Sequence, residues 1–143
     1  AGHFHSHSLM EKTQGMYRFL DRFFIVFHTG LILFNLLGWV WKKTRLANLA
    51  TLTATLLSWT VLGIWGGFGY CPLTDYHWQV RVRLGETDMP SSYIKFLVDT
   101  LTGLDVSARL VNLSAIILLA LALAASATTN ALSFVSRRHG LDS

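Results

Sequence analysis

Phe23–Trp41 reads FFIVFHTGLILFNLLGWVW. These 19 residues contain no Asp, Glu, Lys or Arg. Wound as an α-helix they extend about 28 Å, enough to cross the hydrocarbon core of a bilayer. A lone strand there would leave its backbone N–H and C=O groups without partners, so the segment has to be helical. Leu46–Tyr70 and Leu110–Val135 repeat the pattern, with 25 and 26 uncharged residues. The sequence therefore predicts an all-α membrane protein with three transmembrane helices and short interfacial amphipathic helices between the second and third.

Composition agrees. The 143 residues are 52% hydrophobic and 14% charged, with a mean hydropathy of +0.42. A water-soluble domain carries about a quarter charged residues. A net charge of +4 and a pI near 9.6 do not indicate nucleic acid. The basic residues flank apolar segments and form no stripe. The single cysteine excludes an internal disulfide and a cysteine-based zinc site.

The chain divides as one membrane domain over residues 1–143. A polar, His-rich lead-in covers 1–22, spans cover 23–41, 46–70 and 110–135, an interfacial segment covers 71–109, and a polar tail covers 136–143. KKTR directly after the first span and the polar residues before it argue against a cleaved signal peptide. Lys42–Arg45 is a short, basic, acid-free loop, which favours an outside N-terminus and a cytoplasmic C-terminus, although counting all Lys and Arg does not favour that arrangement. Trp39, Trp41, Trp65, Tyr70 and Trp78 lie near span ends, where aromatic side chains anchor at the headgroups. Gly63 and Gly67, and Ala120, Ala124 and Thr128, are candidate helix-packing positions because small side chains let backbones approach.

Pro72 ends the second span, and Thr74 or Asp75 is placed to cap a new helix. YHWQVRVRL, residues 76–84, alternates apolar and polar but is read as a short interfacial helix, since a lone strand lacks a partner. Pro90-Ser91-Ser92 begins another helix, with Tyr93, Phe96, Leu97, Leu101 and Leu104 on one side, Lys95 and Asp99 opposite, and Gly103 at its end. Asp105 is placed to cap the third span.

Certain residues carry a resemblance. They are Asp21 with His28 seven positions on, Trp59, the run Gly69-Tyr70-Cys71-Pro72-Leu73-Thr74, a basic segment ending Leu84-Gly85-Glu86, and Tyr93-Ile94-Lys95-Phe96-Leu97. From about Arg18 to Val135 the chain resembles the bacterial membrane proteins grouped as domain of unknown function 2784, with Cys71-Pro72-Leu73-Thr74 as the most specific motif. The resemblance implies a compact helical membrane protein and no particular activity.

His28 is the sharpest single residue, because an ionisable group within a span is costly and marks a functional position. It is a candidate axial ligand for haem or bacteriochlorophyll among Phe23, Phe24, Phe27 and Phe34. The plainer reading is a hydrogen bond to Asn35, Thr55 or Ser58. Cys71, Asp75 and His77 offer a nucleophile, an orienter and a base, yet the same residues serve as a helix stop and cap. His3, His5 and His7 alternate, which suits a metal in an extended chain. No HExxH, P-loop, GxGxxG, CxxCH or GxSxG motif occurs.

The expectation is a non-catalytic accessory subunit of a larger membrane assembly, photosynthetic or respiratory, in a bacterial inner membrane. Its partners would be lipid and other integral membrane proteins, without nucleic acid. The alternatives are a cofactor-binding protein using His28 and a membrane enzyme using Cys71 and His77.

Overall fold

The computed structural model describes residues 2–140, with side chains from residue 7. Five helices and no strands form its regular structure among the described residues. They are α1 (Gly2–Leu37), α2 (Arg45–Gly66), α3 (Pro72–Arg83), α4 (Tyr93–Thr102) and α5 (Ala108–Arg138). His7–Leu37 within α1, α2 and α5 are each long and apolar enough to cross a membrane. The protein is a helical membrane protein.

The inward face of α1 follows helical spacing. Asp21, Phe24 and Thr29 are partly covered, and His28, Asn35 and Gly38 are buried. On α5 the inward positions are Val111, Ala115, Ala122, Ser126 and Thr129, while Ala120, Ala124 and Thr128 face outward. A packing stripe of small residues is thus present on α5, but rotated from the predicted one. Helix periodicity alone does not distinguish two small-residue rows on an Ala-rich helix. Gly63 and Gly67 do not form a helix-packing pair either. Gly67 ends α2 with φ +91°, which an L side chain rarely adopts. A Cβ on Gly63 would meet the backbone of Phe68 in the turn that follows, not a neighbouring helix. The second span accordingly stops at Gly66, short of Tyr70.

Polar side chains bond the spans together, since hydrocarbon offers them no alternative partner. Asn35 Nδ2 donates to Thr55 Oγ1 at 3.1 Å and Asn35 Oδ1 accepts from Thr51 Oγ1 at 2.7 Å. Fully buried Asn48 donates to the Phe34 carbonyl at 2.7 Å, next to Gly38, where a Cβ would collide with both groups. Arg45 bridges the loop to α5, donating to the Trp39 carbonyl at 3.0 Å and to Ser133 Oγ at 2.9 Å. α1 ends at Leu37, four residues before the predicted limit.

The interfacial segment is helical as expected, with different caps. Cys71 occupies the N-cap of α3 and Pro72 its first turn, so Thr74 and Asp75 lie inside the helix. Ser92 caps α4 by accepting from the Lys95 N–H, and Gly103 closes it with φ +72°. Asp105 does not cap α5. It accepts from Lys95 Nζ at 2.6 Å, as does Asp99 at 2.6 Å. These two carboxylates raise the Lys95 pKa, and Lys95 in turn lowers that of Asp99. Tyr93, Phe96 and Leu97 are buried, with Ile25, Ile32 and Trp78 packed against them. Leu101 and Leu104, predicted on the same face, stay exposed, and Leu104 lies beyond the Gly103 stop. Trp78 turns into this cluster and not outward as an anchor.

Candidate functional site

At the end of the bundle where α1, α2 and α5 meet α3 and α4, a cavity of about 410 Å³ opens. Three features of the sequence build it. His28 projects from α1 two helical turns beyond Asp21. The Gly66–Tyr70 turn folds back beneath α2. Pro72 starts α3 immediately afterwards, leaving Cys71 at the rim.

The π-turn at Ser58–Leu62 belongs to the same region. A π-turn frees a carbonyl from the regular ladder. Here the Trp59 carbonyl accepts from the Gly69 N–H at 3.4 Å, and Ser58 Oγ donates to the Tyr70 carbonyl at 2.8 Å. The turn is thereby fixed to α2, and Trp59 forms part of the cavity wall.

His28 lines the cavity and is only 6% exposed. Its Nε2 lies 3.7 Å from Cys71 Sγ, and its Nδ1 has no hydrogen-bond partner among the described residues. Asn35 and Thr55 bond to each other and Ser58 bonds to the Tyr70 carbonyl, so none of the three predicted partners holds His28. The Tyr93 ring covers the imidazole, with centroids 4.3 Å apart.

Behind this wall runs a chain of three polar groups. His77 Nε2 is 2.7 Å from Asp21 Oδ1, and His77 Nδ1 is 2.7 Å from the Tyr93 hydroxyl. An ionised carboxylate only accepts, so Nε2 carries the proton and donates to Asp21, and Nδ1 accepts from the tyrosine. Arg81 Nη1 donates to the same Asp21 oxygen at 3.2 Å. His77 is fully buried, between Phe24 and Phe96. Burial lowers its pKa, and the bond to Asp21 offsets part of that shift. His77 is therefore the neutral centre of the chain. Burial likewise pushes the Tyr93 hydroxyl above its ordinary range.

The predicted Cys71, Asp75 and His77 set is split. Cys71 pairs with His28, whereas His77 belongs to Asp21 and Tyr93. Asp75 lines the cavity, and its carboxylate accepts from Gln79 at 3.4 Å. Three residues of one helix lie at fixed angles around its axis, and closeness in sequence did not put Cys71 and His77 on one side. The predicted metal set also changes. The backbone is helical from Gly2, not extended. The side chains of His3 and His5, and all of Ala1, lie outside the described residues. Among the described residues no three His, Cys, Asp or Glu side chains gather as a metal site.

To serve as an axial ligand to a tetrapyrrole, His28 would have to give up its Cys71 contact or free its second ring nitrogen. Nε2 faces Cys71 at 3.7 Å, the free Nδ1 is buried, and Tyr93 covers the ring.

A family model described as a protein of unknown function, DUF2784, matches residues 18–131. The chain belongs to this family. No curated protein matches it, and no solved structure does. The DUF2784 match spans every residue of the polar chain and of the His28–Cys71 pair. Tyr93 and Asp21 were missed as site residues by sequence reasoning. Asp21 had a signal, its seven-residue spacing from His28, which places both on one helix face. Tyr93 had none beyond its place in an apolar helix pattern.

Proposed function

We propose that this membrane protein binds a neutral or cationic amphiphile from the bilayer, with His28 as its polar contact. The observation that carries the reading is a buried, half-paired histidine in a cavity whose only charged lining residue, among the described residues, is Asp75. Aromatic rings and short polar side chains make up much of the remaining wall, and its volume lies within the range of about 300–1,000 Å³ typical of ligand sites. With no Lys or Arg in the lining, an anionic headgroup would lose its hydration without a counter-charge.

Native mass spectrometry of the protein from its own membrane in mild detergent tests this. The wild-type chain should carry a small-molecule mass that Ala115→Trp, which fills the cavity, loses while keeping its helicity. Equal ligand in both, or none in either together with no saturable quenching of Trp59 by a neutral lipid probe, overturns it.

A second reading is an accessory subunit of a larger membrane assembly, and the bacterial inner membrane remains its proposed location. The supporting observation is the Ala120, Ala124 and Thr128 row, which faces out of the chain and suits close approach of another helix. The same spectrum separates the readings. Defined protein partners lost in Ala124→Phe would favour the subunit. On this reading the larger assembly is proposed as a photosynthetic or respiratory complex, which the captured partners would identify.

A further inference from the structure

We infer that Cys71 and His28 form an acyl-transfer site in which the thiol is acylated by a neutral fatty-acyl ester held in the cavity. This rests on the reading of the cavity as an amphiphile site and adds a reaction to it.

Three observations meet at one place. First, Cys71 Sγ and His28 Nε2 are 3.7 Å apart at the cavity wall, an arrangement that brings a nucleophile near a base. A short approach of the ring or the rim would bring them to hydrogen-bond contact, and such pairs are often loose without substrate. Second, Cys71 is the N-cap of the 12-residue α3. The first backbone pairing there is Asp75 N–H to the Cys71 carbonyl at 3.2 Å, and no side chain caps the helix. The Leu73 and Thr74 N–H groups thus have no backbone acceptor among the described residues at the helix end that Cys71 caps, and Thr74 lines the cavity. Such donors stabilise the negative oxygen that forms when a carbonyl is attacked. Third, His28 is more than nine-tenths buried and half-paired, and the rigid Asp21–His77–Tyr93 chain holds the Tyr93 ring against it.

The step is balanced. His28 Nε2 takes the proton from Cys71 as Sγ attacks the ester carbonyl carbon, and the C–S bond forms. The carbonyl oxygen takes up negative charge opposite the α3 amides. The bond to the alcohol oxygen then breaks, and that oxygen receives the proton from His28. The products are an S-acyl Cys71 and a free alcohol, with no redox change. Tyr93 acts as a positioning residue, its ring packed against His28.

The test uses the full chain in detergent with p-nitrophenyl laurate. The expected result is one lauroyl group per chain by intact mass, located on Cys71 by peptide mapping and released by hydroxylamine. Cys71→Ser should lose the hydroxylamine-sensitive adduct. His28→Gln should slow labelling by about a hundredfold or more, the scale of a lost general base, while a neutral lipid probe still quenches Trp59. Binding of that probe without acylation of the wild type overturns the reaction and leaves the binding reading standing. Absence of both overturns the two together. Equal labelling rates in wild type and His28→Gln also overturn the proposal.

Discussion

Tyr93→Phe removes one oxygen from a buried polar contact, the Tyr93 hydroxyl to His77 Nδ1 at 2.7 Å. The ring remains, and so do its contacts with His28, Trp78 and Phe96, at centroid distances of 4.3, 5.2 and 5.6 Å. The packing term is therefore close to zero. What changes is His77, fully buried and paired at both ring nitrogens. Without the hydroxyl, Nδ1 becomes a buried acceptor with no donor among the described residues. Leaving such a group unpaired costs about 1–3 kcal/mol. At about 1.4 kcal/mol per factor of ten, that is roughly a 5- to 150-fold shift of the unfolding equilibrium. Denaturant unfolding in mixed micelles, followed by Trp fluorescence, reads it directly, since Trp78 adjoins Tyr93. Tyr76→Phe is the control, because Tyr76 is exposed and makes no side-chain bond in the structure; it should stay within about 0.5 kcal/mol. A Tyr93→Phe loss no larger than the control would refute the Asp21–His77–Tyr93 chain as a structural unit.

The same histidine sets an acid limit on stability. Its folded pKa lies below the unfolded value of about 6.5. The contribution is therefore complete above that pH and is lost as pH falls from there through the folded pKa, by at most about 1.4 kcal/mol per pH unit. His77→Gln still has an amide to offer Asp21 and does not titrate, so it should flatten this limb between pH 7 and 5 in the same unfolding assay; an unchanged slope would assign the acid sensitivity to other groups. Two glycines of the first span should respond oppositely to alanine. At Gly38 the new Cβ would sit 2.6 Å from the Phe34 carbonyl and 2.8 Å from Asn48 Nδ2, an overpacking cost of about 1–3 kcal/mol. At Gly30 nothing lies within 4 Å, and relief of helix-interior glycine should stabilise by up to about 1 kcal/mol; melting temperatures in detergent that move the same way would contradict the packing of α1 on α2.

The three spans and the all-helical class were legible in the sequence because each apolar run is long, uncharged and subject to one overriding demand. In hydrocarbon, every backbone polar group must find a partner within its own segment. The breaks at Pro72 and Gly103 were legible too, since each acts through local backbone geometry. Rotation about a helix axis was not. Ala120 and Ala122 are equally small, and only the neighbouring α2 decides that Ala122 and Ser126 turn inward. Partner choice among polar side chains was not legible for the same reason. Asp105 was read as a local cap, but Lys95, ten positions earlier in sequence, lies closer in space. Cys71 and His77 are six residues apart, yet the fold gives Cys71 to His28, 43 positions away, and His77 to Asp21, 56 positions away. Local sequence determines which elements form, because those rules act over a few residues. Which side chains meet is decided by how the helices dock, and the candidate site exists only at that level.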